Sequence, residues 1–263
     1  MYRNKIMKVY EFGKDNQKTF LMFQCTAEPW WVFKPSAETV AKDFRVFLFI
    51  SDGHDEKGTD FISIEKNVEQ AVSYLHDKGI LHLDMVYGVS MGGASVMYML
   101  ANKMLPVNKA IVDTGITPYN YPKWFCRLIA IKDYLSIRIA FKSIKLMKML
   151  MPPQRWTPEG EDSKEHYQKL FEFGQNHYSK RTIYNVFWSA NNYPMTCPVP
   201  KIDTDIEYWY GEEEKAARKK DLVYAKKIFP QIILREFKGL AHAELVMMFP
   251  ERFYSEVIRF WNA

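Results

Sequence analysis

The segment Gly88-Val89-Ser90-Met91-Gly92 places a serine between two glycines, at the junction of a predicted strand and a predicted helix. A serine at such a sharp turn adopts a strained backbone conformation, and small residues two positions away on either side avoid a clash. The turn presents the hydroxyl at the start of a helix, where backbone N–H groups and the helix dipole favour a developing negative charge. The pattern predicts a nucleophilic Ser90; the alternative is a glycine-rich structural turn.

A serine hydroxyl needs a base to become a nucleophile, and the chain has six histidines. His242, in L-A-H-A-E, follows the last predicted strand, and His54, in S-D-G-H-D, follows the predicted strand 45–51. The carboxyl ends of parallel strands meet at one edge of a sheet, so both histidines are expected at the edge that carries Ser90. We predict His242 as the base, with His54 as the alternative. Surface or structural positions are predicted for His76, His166 and His177.

A carboxylate must orient the imidazole and stabilise its charged form. Glu214 ends the run Gly211-Glu212-Glu213-Glu214, which directly follows the predicted strand 206–210 at the same edge. Asp113, which ends another predicted strand, is the second candidate. Acidic residues at a helix start also complement the helix dipole, which accounts for Glu212 or Glu213. We predict Glu214 as the acid and keep Asp113 as the alternative.

The elements that must position these residues alternate between strand and helix. Strands are predicted at residues 5–12, 19–24, 45–51, 83–90, 107–115, 206–210 and 231–237. Helices are predicted at residues 36–44, with Ser36 as the N-cap, and at 62–78, 91–104, 215–229 and 250–261. This order predicts an α/β fold with a mostly parallel central sheet covered by helices on both faces. With 263 residues, 48% of them hydrophobic and 25% charged, the chain is long enough for such a core, and disorder is excluded as its main state.

Between residues 117 and 202 the strand signal is absent and the pattern is helical, stopping once at Pro152-Pro153. We predict that residues 1–116 and 203–263 form the core domain and that residues 117–202 form an inserted helical cap, since the segment is too long for a connection. A cap over the sheet edge would line the pocket with apolar groups. Those predicted to contribute are Trp30, Trp31, Trp124, Phe125, Tyr134, Phe141, Phe187, Trp188, Met147, Met149 and Met151.

The formal net charge of +5 is unevenly distributed and too small to indicate nucleic acid. Residues 123–155 contain eight Lys and Arg against one acid, Asp133, a net of +7 that leaves −2 for the rest. The spacing of Lys142, Lys145 and Lys148 favours a solvated helix face; contact with an anionic substrate group or peripheral contact with a membrane surface are the alternatives. The apolar cap suits covering its own active site or pairing with a second copy.

The chain resembles the α/β-hydrolase superfamily, in the branch of serine hydrolases with a helical cap. The resemblance rests on G-V-S-M-G as nucleophile elbow, on Y-G-E-E-E and L-A-H-A-E-L as acid and histidine loops, and on the order Ser90, Glu214, His242. It implies an oxyanion hole made by two backbone N–H groups, that of Met91 and one from the loop after the second strand. That loop commonly reads His-Gly-x in the family and reads Gln24-Cys25-Thr26 here, so Thr26 is the matching donor.

The residues and the resemblance together predict a hydrolase that cleaves a small-molecule carboxylic ester with an apolar or aromatic group, through an acyl-enzyme. Two alternatives remain: a non-hydrolytic ligand-binding member of the same fold, and another acyl-transfer activity (thioesterase, peptidase, lipase or acyltransferase). Neither a cofactor nor a metal is expected, because the three cysteines are far apart and form no cluster with histidine. No apolar run is long enough to span a bilayer, and a cytoplasmic location is predicted.

Overall fold

A seven-stranded sheet organises the described part of the chain, which in this computed structural model comprises residues 8–118, 121–195, 199 and 201–263. Its strands are β1 Lys8–Phe12, β2 Thr19–Phe23, β3 Arg45–Ile50, β4 Leu83–Val89, β5 Val107–Asp113, β6 Asp205–Gly211 and β7 Ile233–Phe237. The spatial order is β1-β3-β2-β4-β5-β6-β7. Strand β1 is antiparallel to β3, and every other pairing is parallel. The predicted mostly parallel sheet is therefore confirmed; residues 5–7 of the first predicted strand lie outside the described residues.

The central strands read as nearly continuous apolar runs because both of their faces are buried. In β2, Phe20 and Met22 enter one hydrophobic cluster, whereas Leu21 and Phe23 enter the other. Each cluster continues into helices, so the two faces of the sheet carry separate cores. This two-sided burial fixes the strand ends, and with them the loops at the carboxyl edge.

The first three helices are α1 Trp30–Val40, α2 Ile64–Asp77 and α3 Met91–Ala101. The prediction that the first of them starts at Ser36 is wrong, since α1 begins six residues earlier and contains Pro35. Val32, Phe33 and Ala37 recur at helical spacing and are buried, and this burial outweighs the hydrogen bond that proline removes. The Ser36 hydroxyl instead donates to the Val246 carbonyl at 2.6 Å.

Between β5 and β6 the described residues form helices α4 Lys123–Ala140, α5 Ile144–Leu150, α6 Pro153–Trp156, α7 Ser163–His177 and α8 Lys180–Ala190. The helical pattern predicted to run on to Pro152 is broken at residues 141–143, where the Ser143 hydroxyl caps α5. We call residues 121–195 the helical segment. It contacts loops at the carboxyl edge: Thr182 bonds the Phe61 amide, and Tyr193 bonds the Ile116 carbonyl.

The fold closes with a short 3₁₀ turn, Glu212–Glu214, and with α9 Lys215–Ile228, α10 Glu244–Met248 and α11 Pro250–Asn262. Helices α1 and α11 pack together on one face of the sheet, and α2 and α3 pack together. In the described residues, no helix combines the length and apolarity needed to cross a membrane. Cys25 and Cys126 are buried free thiols, and Cys197 lies outside the described residues.

Candidate active site

Ser90 occupies the turn between β4 and α3 with φ 57° and ψ −111°, a left-handed conformation that costs energy in any residue other than glycine. A Cβ on Gly88 would collide with the Gly92 carbonyl, and one on Gly92 would collide with the Phe23 and Gln24 carbonyls. Both glycines are thus required by close backbone approach, as the sequence predicts. Ser90 itself is 6% exposed.

The same close approach brings the first turn of α3 against the loop that follows β2. This loop contains Gln24, Cys25 and Thr26, and Gly92 touches its first carbonyl. Among the described residues, neither the Met91 amide nor the Thr26 amide donates a hydrogen bond to a protein group. The Met91 amide at the start of α3 and the Thr26 amide two residues past Gln24 are therefore both without a protein acceptor in the part of the chain that the structure describes.

Glu214 and His242 form a hydrogen-bonded pair in which Glu214 Oε2 lies 2.7 Å from His242 Nδ1. The second carboxylate oxygen, Oε1, accepts from the Gly211 amide at 3.2 Å. The glutamate side chain is 9% exposed and the histidine side chain 43% exposed. The carboxylate is therefore held in place, while the ring remains accessible. Within the described residues, Ser90 Oγ and His242 Nε2 form no hydrogen bond with each other or with another group.

Backbone contacts hold the acid loop against the histidine loop. The Glu213 amide donates to the Leu240 carbonyl at 3.2 Å. A Cβ on Gly211 would collide with that same carbonyl, so glycine is needed at the end of β6. Ala243 adopts φ 60° and starts α10 directly after the histidine. The Glu214–His242 distance is thus set by two loops that lie in contact.

Arg155, on α6 of the helical segment, joins these two loops through its guanidinium. Its Nε and Nη2 bond the two oxygens of Glu244 at 2.7 and 2.6 Å, and its Nη1 bonds Glu213 at 2.9 and 2.8 Å. Nη2 also donates to the Gly239 carbonyl at 3.0 Å. The hydrogen bonds to Glu244 and Glu213 raise the pKa of Arg155. The sequence reveals Arg155 only as one basic residue after Pro152-Pro153, with no sign of its partners.

Asp113 ends β5 and is buried, but its carboxylate accepts from the Tyr87 hydroxyl at 2.6 Å rather than from His242. Burial raises the pKa of Asp113 to about 8. The hydrogen bond from Tyr87 and the nearby charge of Glu214 act on that pKa less than burial does. The structure therefore brings Glu214, not Asp113, to the histidine ring.

His54 also stands at the carboxyl edge, yet it is buried and contacts backbone groups. Its Nε2 accepts from the Ala27 amide at 3.2 Å, and its Nδ1 lies 3.3 Å from the Asp52 carbonyl, which assigns the proton to Nδ1. Burial lowers the pKa of His54 to about 4. Ala27 is in the left-handed region with φ 61°. A neutral His54 thus fixes the loop that carries the Thr26 amide.

Three buried polar atoms around this loop lack a protein partner: Gln24 Oε1, Glu28 Oε2 and the Tyr178 hydroxyl. Burial raises the pKa of Glu28 to about 8, so its carboxyl is protonated at neutral pH. Tyr178, from the helical segment, packs against the His54 ring at 5.0 Å between centroids. Unpaired buried polar atoms are costly, and a hydrogen-bonding group of a ligand would satisfy them.

Most aromatic residues that the sequence predicts to line a pocket stack on neighbouring rings, are exposed to solvent or are buried in the core. Trp30 stacks on Tyr10 at 3.7 Å, and Trp31 meets His166 edge to face. Trp124, Phe125 and Met149 are exposed, whereas Phe141 and Met147 are buried in the core. A cleft of about 870 Å³ lies between α1 and α7, but none of Ser90, Glu214 and His242 lines it. The candidate active site therefore lies at the carboxyl edge of the sheet and not in this cleft.

A scan against protein-family models finds no match, and a search of curated proteins finds no relative. Solved structures, however, share the fold. The chain is similar to an α/β hydrolase family protein from Desulfitobacterium hafniense, with a TM-score of 0.74, 15% identity and coverage of 97% of this chain and 100% of the other. A Nitrososphaera gargenis carboxylesterase matches with a TM-score of 0.73, 14% identity and coverage of 100% and 97%.

An esterase from Thermogutta terrifontis matches with a TM-score of 0.69, 14% identity and coverage of 97% and 93%. At such identities the likeness establishes the fold alone. The chain has the α/β-hydrolase fold, which confirms the fold that the sequence predicts. The described residues hold no group of three His, Cys, Asp or Glu side chains placed for a metal ion.

Proposed function

We propose that this protein is a serine hydrolase that cleaves a carboxylic ester, with Ser90 as nucleophile, His242 as base and Glu214 as the acid that orients the ring. The observation that carries the proposal is the 2.7 Å bond between Glu214 and His242, at the edge where Ser90 sits in a left-handed turn. Structural neighbours named as esterases support the same chemistry.

The geometry supports a two-step acyl transfer. His242 takes the proton of Ser90 as its Oγ attacks the ester carbonyl, and Glu214 stabilises the imidazolium that forms. The Met91 and Thr26 amides bind the oxyanion. His242 then gives its proton to the leaving alcohol. Water then attacks the acyl carbon with His242 again as base. The bond from that carbon to Ser90 Oγ breaks, His242 returns the proton to Oγ, and the carboxylic acid leaves.

Two further residues position this machinery in the proposal. Arg155 keeps the acid and histidine loops together, since its guanidinium bonds both Glu213 and Glu244. His54 holds the Ala27 amide, and through it the turn that presents Thr26. Neither residue touches the reacting atoms.

For the substrate, the sequence favours a small apolar or aromatic acyl group. The unpaired Glu28 and Tyr178 atoms support an added requirement, a hydrogen-bonding substituent such as a hydroxyl or amide. A panel of esters matched in size, with and without that substituent, measures the preference. Thioesters, peptides and alcohol acceptors in the same panel separate the other acyl-transfer activities.

The test of the mechanism is Ser90→Ala. Turnover of a short activated ester and labelling by a fluorophosphonate probe should both disappear, because the probe bonds the nucleophilic oxygen. Equal labelling of parent and variant would remove Ser90 from the mechanism.

The alternative is a non-hydrolytic protein of this fold that binds a small ligand. The missing hydrogen bond between Ser90 and His242 favours it, although such bonds often form only when substrate binds. A parent protein that binds the esters of the panel without hydrolysing them, and that reacts with the fluorophosphonate probe no faster than Ser90→Ala, would establish this alternative.

The cap boundaries at 117 and 202 and the cytoplasmic location stay predictions.

A further inference from the structure

Helix α4 presents an apolar stripe to solvent. Trp124, Leu128, Ile131, Leu135 and Ile139 follow one another at intervals of three or four residues, which places them on one face of the helix. Each of them is at least 43% exposed. We call these five residues the outer stripe. The opposite face of the helix, with Cys126 and Ala130, is the buried one.

A second apolar face on a surface helix needs an explanation, because solvation of five large side chains is unfavourable. The rest of the described chain does not cover the stripe. Helix α4 packs on α8 and α5, and the exposure of the stripe shows that these contacts lie elsewhere on the helix. The outer stripe is therefore a surface that a molecule other than the described part of this chain would cover.

Basic side chains border the outer stripe on both sides. With 3.6 residues per turn, Arg127 and Arg138 flank one side and Lys132 the other. The single acid of α4, Asp133, pairs with Lys132 at 3.0 Å. Residues 123–148, which exclude the ion-paired Arg155, have seven Lys and Arg against Asp133, a net charge of +6. The partner of this surface must therefore combine apolar character with negative charge.

We propose that the outer stripe docks the protein onto an anionic lipid surface, with α4 lying in the plane of the interface. An amphipathic helix with Trp or Leu on one side and Lys or Arg beside it binds in this way, through apolar burial and attraction to anionic headgroups. The 18-residue α4 lies on the surface and does not cross it, in keeping with its five Lys, Arg and Asp residues.

A second copy of the chain fits the surface less well. Symmetric pairing through the stripe would bring two regions of net charge +6 (residues 123–148) together, and Asp133 is the one acidic residue on α4 to offset the repulsion. An anionic membrane satisfies both features of the surface at once. This docking does not depend on the proposed hydrolase activity, but it would bring the enzyme to esters that reside in a bilayer.

The experiment measures co-sedimentation with vesicles of phosphatidylcholine alone and of phosphatidylcholine with about 30% phosphatidylglycerol. The parent should bind the anionic vesicles at least about tenfold more tightly, and about 0.5 M NaCl should weaken that binding. The double variant Leu128→Gln, Leu135→Gln should lose about tenfold or more in affinity. Its matched control is Val223→Gln with Leu81→Gln, two exposed apolar residues outside α4.

A second pair of variants separates charge from apolar burial. Arg127→Gln with Lys132→Gln should lower affinity for anionic vesicles only, whereas Lys66→Gln with Lys169→Gln, of equal net charge, should not. Thermal unfolding of each variant verifies that it is folded. Equal binding by parent and stripe variant, or no binding by the parent, would overturn the proposal. So would a dimer in light scattering that the stripe variant abolishes. Ser90→Ala should bind vesicles like the parent, which keeps this test separate from that of the activity.

Discussion

His54 and His242 stand on loops at the same carboxyl edge of the sheet, yet their surroundings are opposite. His242 is exposed and bonds the Glu214 carboxylate through Nδ1, which holds the ring in one orientation. His54 is buried and bonds the Ala27 amide and the Asp52 carbonyl, and its pKa is lowered to about 4. Position at the edge is therefore shared by both histidines. What distinguishes the proposed base, His242, is its carboxylate partner and its exposed ring.

The largest expected loss of activity follows from replacing His242, compared with replacing His54. His242→Ala should lower kcat about 10⁴-fold or more, because the proposed mechanism passes the Ser90 proton to His242. His54→Gln should lower kcat about tenfold or less, since it disturbs only the loop that carries Thr26. Steady-state hydrolysis of a short ester by both variants measures the difference. Equal losses in the two variants would contradict the assignment.

The next effect separates the two candidate acids. Glu214→Gln should lower kcat about 10³- to 10⁴-fold, since the amide cannot stabilise the imidazolium. Asp113→Asn should change kcat by less than about threefold, because its carboxyl bonds Tyr87 and is already neutral at pH 7. The pair is matched, as each variant exchanges one oxygen of a carboxyl group for an NH₂ group. A greater loss in the Asp113 variant would transfer the role of the acid to Asp113.

The sequence predicts those parts of the site that depend on local patterns, and it does not predict contacts between residues far apart in the chain. The turn at Ser90 and the strand ends that carry Glu214 and His242 follow local patterns, so the sequence predicts them and the topology brings the last two together. Arg155 lies 58 and 89 residues from the glutamates it bonds, and no local pattern encodes such a pair. The start of α1 was mispredicted for a related reason, since burial of Val32 and Phe33 against the core overrides the signal of Pro35.

A smaller effect is expected from the residue that the sequence does not reveal. Arg155→Met should lower kcat about 10- to 100-fold by loosening the two loops, and it leaves Glu244, whose side chain is 4% exposed, buried without its partner. The double variant Arg155→Met, Glu244→Gln removes that buried charge. It should regain most of the lost thermal stability but not the lost kcat, because Glu213 and Glu244 remain unbridged. Recovery of both quantities would show that Arg155 acts on stability alone.

The smallest expected effect is on the pH dependence of the free energy of unfolding, and it tests whether His54 stays neutral in the folded protein. With a native pKa of about 4, His54 stays neutral between about pH 4 and 6.5, whereas the same histidine in the unfolded chain takes up a proton in that range. The unfolded state thus binds more protons between about pH 4 and 6.5, and His54 lowers the free energy of unfolding as the pH falls through that window.

The variant His54→Gln has no titratable group at this position. It should be less stable than the parent at pH 7, because Gln replaces the fitted imidazole, and the deficit should shrink by about 2 kcal/mol as the pH falls to about 4.5. Asp113 and Glu28, whose raised pKa values act in the opposite direction, are present in both proteins and cancel in the difference. Urea unfolding of parent and variant at matched pH values measures it. A deficit that is constant from pH 7 to 4.5 would mean that His54 titrates in the folded protein as it does in water, and that its burial against Tyr178 does not hold it neutral.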